Sequence, residues 1–155
     1  MQESGWEYAI VHPHDRAQVL AKRLGELVTN TVFHTMDITG PVVLISYLYL
    51  TAEDPSGLEC FEAFTRHLHG VDQLYILGDL FEYWVGDDSA EALGLTGVCT
   101  ALKRLHESGT PITLMTGNRD FLLGQDFCKS TGCHLLQEPA EEEISGHLIL
   151  LQPGD

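Results

Sequence analysis

Two places in the chain set polar residues straight after a glycine at the end of an apolar run. Leu74-Tyr75-Ile76-Leu77 leads into Gly78-Asp79, and Pro111-Ile112-Thr113-Leu114-Met115-Thr116 leads into Gly117-Asn118-Arg119-Asp120. Short runs rich in branched and aromatic residues read as buried strands. The carboxyl ends of such strands are where open α/β sheets bind ligands. Asp79 can bridge two divalent cations, because a carboxylate has two oxygens with several lone pairs. Asn118 offers a neutral amide oxygen, a hard donor suited to Mn²⁺ or Mg²⁺. Arg119 can hold a phosphate through its planar fork. Two metals ~4 Å apart would generate hydroxide and stabilise an in-line phosphoryl transition state. Each residue also has a plainer reading. Asp79 suits a turn or a helix cap, and Asn118 suits a turn after Gly117. Trp84 reads as core or loop packing ahead of base stacking.

Other clusters carry less. His12-x-His14-Asp15 has metal-ligand residue types but no further partner nearby, and surface or capping residues explain it as well. Cys60, Cys99, Cys128 and Cys133 form no C-x-x-C pair and have no matching histidine spacing, so they read as buried or free thiols and not as a zinc site.

The elements that must position the two strand ends follow from periodicity. Val42 to Leu50 reads as one long strand. Tyr47 and Tyr49 fall on the same strand face as Ile45, which favours packing as their role. A helix follows from about Ser56 to His69, with Leu58, Phe61, Phe64 and Leu68 on its apolar face. After the strand at 73–78 and a loop at 84–88, a second helix is expected from about Ser89 to Glu107, stopped at Gly109 and weakened early by Gly94 and Gly97. The strand at 111–116 leads to a short helix over 124–131 and a short strand over 133–136. Residues 141–144 and 147–151 flank Ser145-Gly146, a hairpin signal. Residues 41–155 therefore alternate as an α/β domain with a largely parallel sheet. Residues 1–40 read as a separate extension of unknown role, with strands at 6–11 and 31–35 and a helix from Asp15 to about Val28. This extension could also be a small module completing the sheet. The last strand leaves a sheet edge without cover, which suggests a truncated chain.

The 155 residues are 44% apolar, enough for one domain with a sizeable core. Eight Lys and Arg stand against 23 Asp and Glu, a formal charge of −15. That balance repels nucleic acid and anionic membranes unless a cation intervenes. No window approaches ~18 consecutive apolar residues, so no transmembrane span is expected. The N-terminus has no secretory pattern, which makes the cytoplasm the default compartment.

The stretches Leu74–Asp88 (LYILGDLFEYWVGDD) and Gly117–Leu136 (GNRDFLLGQDFCKSTGCHLL) resemble the calcineurin-like metallophosphoesterases. The resemblance covers roughly residues 41–155. It implies a layered sheet flanked by helices, of which the C-terminal half is missing. It implies a site for two manganese ions that cleaves the pyrophosphate of a lipid-linked nucleotide, the acylated UDP-glucosamine of lipid A biosynthesis. It also implies a cytoplasmic protein peripheral to the inner membrane. By the same resemblance, Asp79 is the bridging metal ligand, Asn118 a ligand of the second metal, and Arg119 the contact to substrate phosphate. No catalytic residue is assigned. The chain departs from the family where metal ligands are expected. The family's first strand ends in Asp-Leu-His, and here Tyr47-Leu48-Tyr49 stands in its place. The family's His-Gly-Asp is here Pro153-Gly154-Asp155, and its Gly-His-Thr-His has no counterpart. A neutral phenol with a pKa near ~10 replaces carboxylate or imidazole poorly. The expectation is therefore a member of the family with doubtful metal occupancy, reading either as a working hydrolase or as an inactive relic that binds a partner.

Overall fold

The computed structural model describes residues 42–68, 71–144 and 147–153. The elements expected before residue 41, the His12-His14-Asp15 cluster and the boundary at 40/41 lie outside the described residues. In chain order the elements are β1 (Val42–Ile45), α1 (Pro55–Arg66), β2 (Gln73–Leu77), α2 (Thr96–Glu107), β3 (Ile112–Met115), α3 (Gln125–Thr131), β4 (His134–Leu135), β5 (Ala140–Ile144) and β6 (His147–Leu151). The first four strands form a parallel sheet in the order β1-β2-β3-β4. The last two form a separate antiparallel pair.

The parallel strands are continuous apolar runs because both sheet faces are covered. Alternate residues of β2 divide between the two faces. Leu74 and Ile76 join Leu114, Ile112, Phe61, Leu102 and Leu105 in the core under the helices. Tyr75 and Leu77 join Met115 and Leu151 in a smaller cluster under the β5–β6 hairpin, with Ile149 and Ala140 packed against it. The Tyr75 hydroxyl donates to Glu142 of β5 at 3.2 Å. The closing hairpin is thus a second layer on the sheet.

The helices are set by local chemistry. Asp54 caps α1 by accepting from the Gly57 N–H, and Pro55 occupies the first turn, where its missing N–H costs nothing. Val98, Ala101, Leu102 and Leu105 give α2 a buried stripe at helical spacing. Full burial of such a Leu is worth ~1.5–3 kcal/mol.

Two expectations need correction. α2 begins at Thr96 and not at Ser89. Gly94 sits at φ 69°, a left-handed conformation that ends the turns over 89–94 before the helix starts. The long strand expected over 42–50 ends at Ile45. Tyr47 (φ 56°) and Tyr49 (φ 49°) are left-handed, which breaks the pleat, and pairing resumes only at Leu50, bridged to Phe81. The two tyrosines are therefore not core residues. Leu48 and Leu50 go into the core, and the tyrosines are half-exposed at the sheet's carboxyl edge.

Candidate functional site

Three strand ends meet at this edge. The segment after β1 is held to the one after β2 by main-chain bonds: Tyr47 N–H to the Gly78 carbonyl (3.2 Å), Tyr49 N–H to the Asp79 carbonyl (3.0 Å) and Leu50 N–H to the Leu80 carbonyl (2.9 Å). The segment after β3 joins through side chains. Asp79 Oδ1 accepts from the Arg119 N–H at 2.9 Å. Gly117 packs so closely on Asp79 that a Cβ would fall 2.3 Å from Oδ1. The structure thus brings Asp79 and Arg119 together as the spacing suggested. Asn118 lies between Gly117 and Arg119, exposed. Pro153 reaches the same place, since a Cβ on Gly78 would meet its Cβ at 2.8 Å.

Asp79 is also left-handed, at φ 52°. Three non-glycine residues of that conformation at one edge are uncommon, and each costs on the order of 1 kcal/mol or more. The surrounding bonds hold them there. Asp79 is 5% exposed. The Tyr49 phenol lies against it. Burial raises the Tyr49 pKa above its usual value, the Asp79 charge and a hydrogen bond to that carboxylate raise it further, and Arg119 opposes them. The Arg119 guanidinium sits 5.8 Å from the centre of the Tyr49 ring and donates to Glu82 at 2.8 Å. A cation over a ring face and a partly exposed ion pair each add a modest attraction.

Two carboxylates beyond the expected set matter here. Asp120 is fully buried and accepts from the Gly117 N–H (2.8 Å) and the Phe81 N–H (3.2 Å), tying the two strand-end loops together. Burial raises its pKa, the two N–H donors oppose that, and the Asp79 charge raises it further. Asp87 accepts from Trp84 Nε1 (3.1 Å) and from the N–H groups of Gly124, Asp126 and Phe127 (3.0, 3.1 and 3.0 Å). Burial pushes its pKa up, but these donors together hold it below the usual carboxylate value. The Asp79 and Arg119 positions were legible as polar residues after a strand and a glycine. Asp120 could have been found from the Gly-x-x-Asp spacing, which suits a carboxylate bonding back to a turn N–H. Trp84 is buried, stacked on Phe81 at 4.7 Å and edge-on to Phe127, so it packs the loop as expected.

The donors that the described residues bring to this edge do not make up a two-manganese centre. Among the described residues, no group of three or more His, Cys, Asp or Glu side chains is placed to hold a metal ion. Tyr47 and Tyr49 are phenols, and Asp79 already has an N–H on one oxygen and a phenol against it. The four cysteines are free thiols, and burial raises all their pKa values, Cys133 to about 12 and Cys99 to about 11. A cavity of about 320 Å³ opens next to the edge, lined by Phe121, Leu123, Leu135 and Leu136 and by the polar Thr116, Gln137 and Glu138.

Fold and edge together define an α/β protein with a parallel sheet flanked by helices and its polar residues gathered at the carboxyl ends of three adjacent strands. No family model matches the chain. It is similar to UDP-2,3-diacylglucosamine hydrolases from Pseudomonas syringae, at 44% identity over 115 residues, and from Pseudomonas putida, at 46% over 118. The protein of that name from Pseudomonas entomophila is 45% identical over 118 residues. Each alignment covers 74% of this chain and 46% to 48% of the relative. The chain is thus related to the UDP-2,3-diacylglucosamine hydrolases along three quarters of its own length, and it spans about half the length of the curated relatives it matches.

Proposed function

We propose that this chain has the role its relatives' name describes, hydrolysis of UDP-2,3-diacylglucosamine in lipid A biosynthesis. The reaction would break the pyrophosphate to give 2,3-diacylglucosamine 1-phosphate and UMP. The observation that carries this reading is the meeting of Gly78-Asp79 with Gly117-Asn118-Arg119 through the Asp79 to Arg119 N–H bond. Two strand ends that read separately as ligand-bearing lie at one point. In this reading Arg119 contacts substrate phosphate, and Asp79 and Asn118 are the manganese donors available. The neighbouring cavity mixes apolar side chains (Phe121, Leu123, Leu135 and Leu136) with polar ones, as a substrate with a lipid and a nucleotide part would need. Among the described residues no helix is long and apolar enough to cross a membrane. Contact with the inner membrane would then be peripheral.

A second reading is favoured by Tyr47 and Tyr49, which occupy the strand end where the resemblance puts two metal ligands. It takes the chain as a scaffold of this family without turnover. One assay separates the two. UMP release from UDP-2,3-diacylglucosamine is followed in Mn²⁺ for the wild type and for Asp79→Ala. Release that Asp79→Ala removes establishes the hydrolase, and a wild-type rate equal to that of the variant establishes the scaffold.

A further inference from the structure

We infer that Tyr49, Asp79 and Arg119 form a closed clamp across the three strand ends, and that it holds this edge together without a metal. Each member touches the other two. Tyr49 donates its N–H to the Asp79 carbonyl, and Arg119 donates its N–H to Asp79 Oδ1. The Arg119 guanidinium then returns to the Tyr49 ring, 5.8 Å from its centre. The three residues come from the segments after β1, β2 and β3, so the ring of contacts ties together strands that no turn joins. Glu82 completes it from outside by taking the guanidinium at 2.8 Å.

The geometry leaves the clamp little that a cation would supply. The Asp79 carboxylate is buried against Gly117, with a main-chain donor on one oxygen. One N–H bond and the Tyr49 phenol take up part of the acceptor capacity of this carboxylate, and the neighbours that would complete a metal's coordination are phenols. The left-handed backbone at Tyr49 and Asp79 fits this role. Strain of that kind persists where neighbouring contacts over-determine the conformation, and here those contacts are the members of the clamp itself.

The inference sharpens the scaffold reading, and its test is independent of turnover. Thermal unfolding of the full chain is followed in excess Mn²⁺ and in EDTA, for the wild type and for Asp79→Ala. A ligand that binds the native state must raise its stability. With ionic strength matched by sodium chloride, the clamp requires Mn²⁺ to move the wild-type midpoint no further than it moves that of Asp79→Ala. It also requires Asp79→Ala to melt lower, by about 4 °C or more, in both. Electron paramagnetic resonance of Mn²⁺ would then show the same free-ion signal with wild type as with Asp79→Ala. A midpoint rise in Mn²⁺, or a loss of free-ion signal, that the wild type shows and Asp79→Ala does not overturns the inference whatever the UMP assay shows. So does an Asp79→Ala midpoint equal to that of the wild type. If Asp79→Ala does not fold, Asp79→Asn takes its place in each comparison.

Discussion

Asp87 shows how much one side chain can organise. It takes four hydrogen bonds, three of them from the start of α3 and one from the Trp84 indole. Bonds to a charged acceptor are worth about 1.5–3 kcal/mol, and a lost cap costs about 1. Asp87→Ala should therefore destabilise the chain by roughly 2 kcal/mol in urea unfolding at neutral pH. The Asp87 pKa is depressed in the folded state, so its contribution is present above the unfolded carboxylate value. It fades as pH falls through the lower folded value. The stability gap between wild type and Asp87→Asn should thus narrow below about pH 4. A gap that widened in acid would contradict the assignment. Asp87 was not legible in the sequence, because three of its four partners lie 37 to 40 residues further on. Asp79 was legible, because strand, glycine and carboxylate are neighbours.

At the scale of elements, the clearest signals came from the apolar runs. β2 and β3 fall where those runs are, and α2 ends where Gly109 stops it. Residues 46–50 misled because tyrosine and leucine alternate there as they do in a strand. Their backbone is instead decided by bonds to Gly78, Asp79 and Leu80, which no local pattern reveals. Gly117 tests the junction between elements. A methyl group there would stand 2.6 Å from the Asp79 nitrogen as well as against its carboxylate. Gly117→Ala should cost ~1–3 kcal/mol, as overpacking does, and should weaken the Arg119 N–H bond in particular. Faster amide exchange at Arg119 than in β1 would be the mark of it. An unchanged exchange pattern would mean that the two loops can part without loss.

The whole molecule carries a formal charge of −15 with four ion pairs between exposed or partly exposed groups among the described residues. Such pairs each contribute little, while the excess of carboxylates repels itself across the surface. Screening shortens that repulsion to ~8 Å at physiological ionic strength. The midpoint of thermal unfolding should therefore rise with added sodium chloride up to moderate concentration. A fall would show that the ion pairs outweigh the general repulsion.

The sheet register also orders events in time. Val42 pairs with Gln73, Leu74 with Ile112, and Thr113 with His134, so no two neighbouring strands of the parallel sheet are joined by a short turn. The β5–β6 hairpin can close locally, a step that takes ~1–10 μs in isolated hairpins. The parallel strands must first gather distant chain, which is slow because loop closure comes before any pairing rewards it. Tyr49, Asp79 and Arg119 sit just beyond three of those strands. They can meet only after β1, β2 and β3 are all in register, so this corner of the molecule is among the last to be born and depends on every step before it.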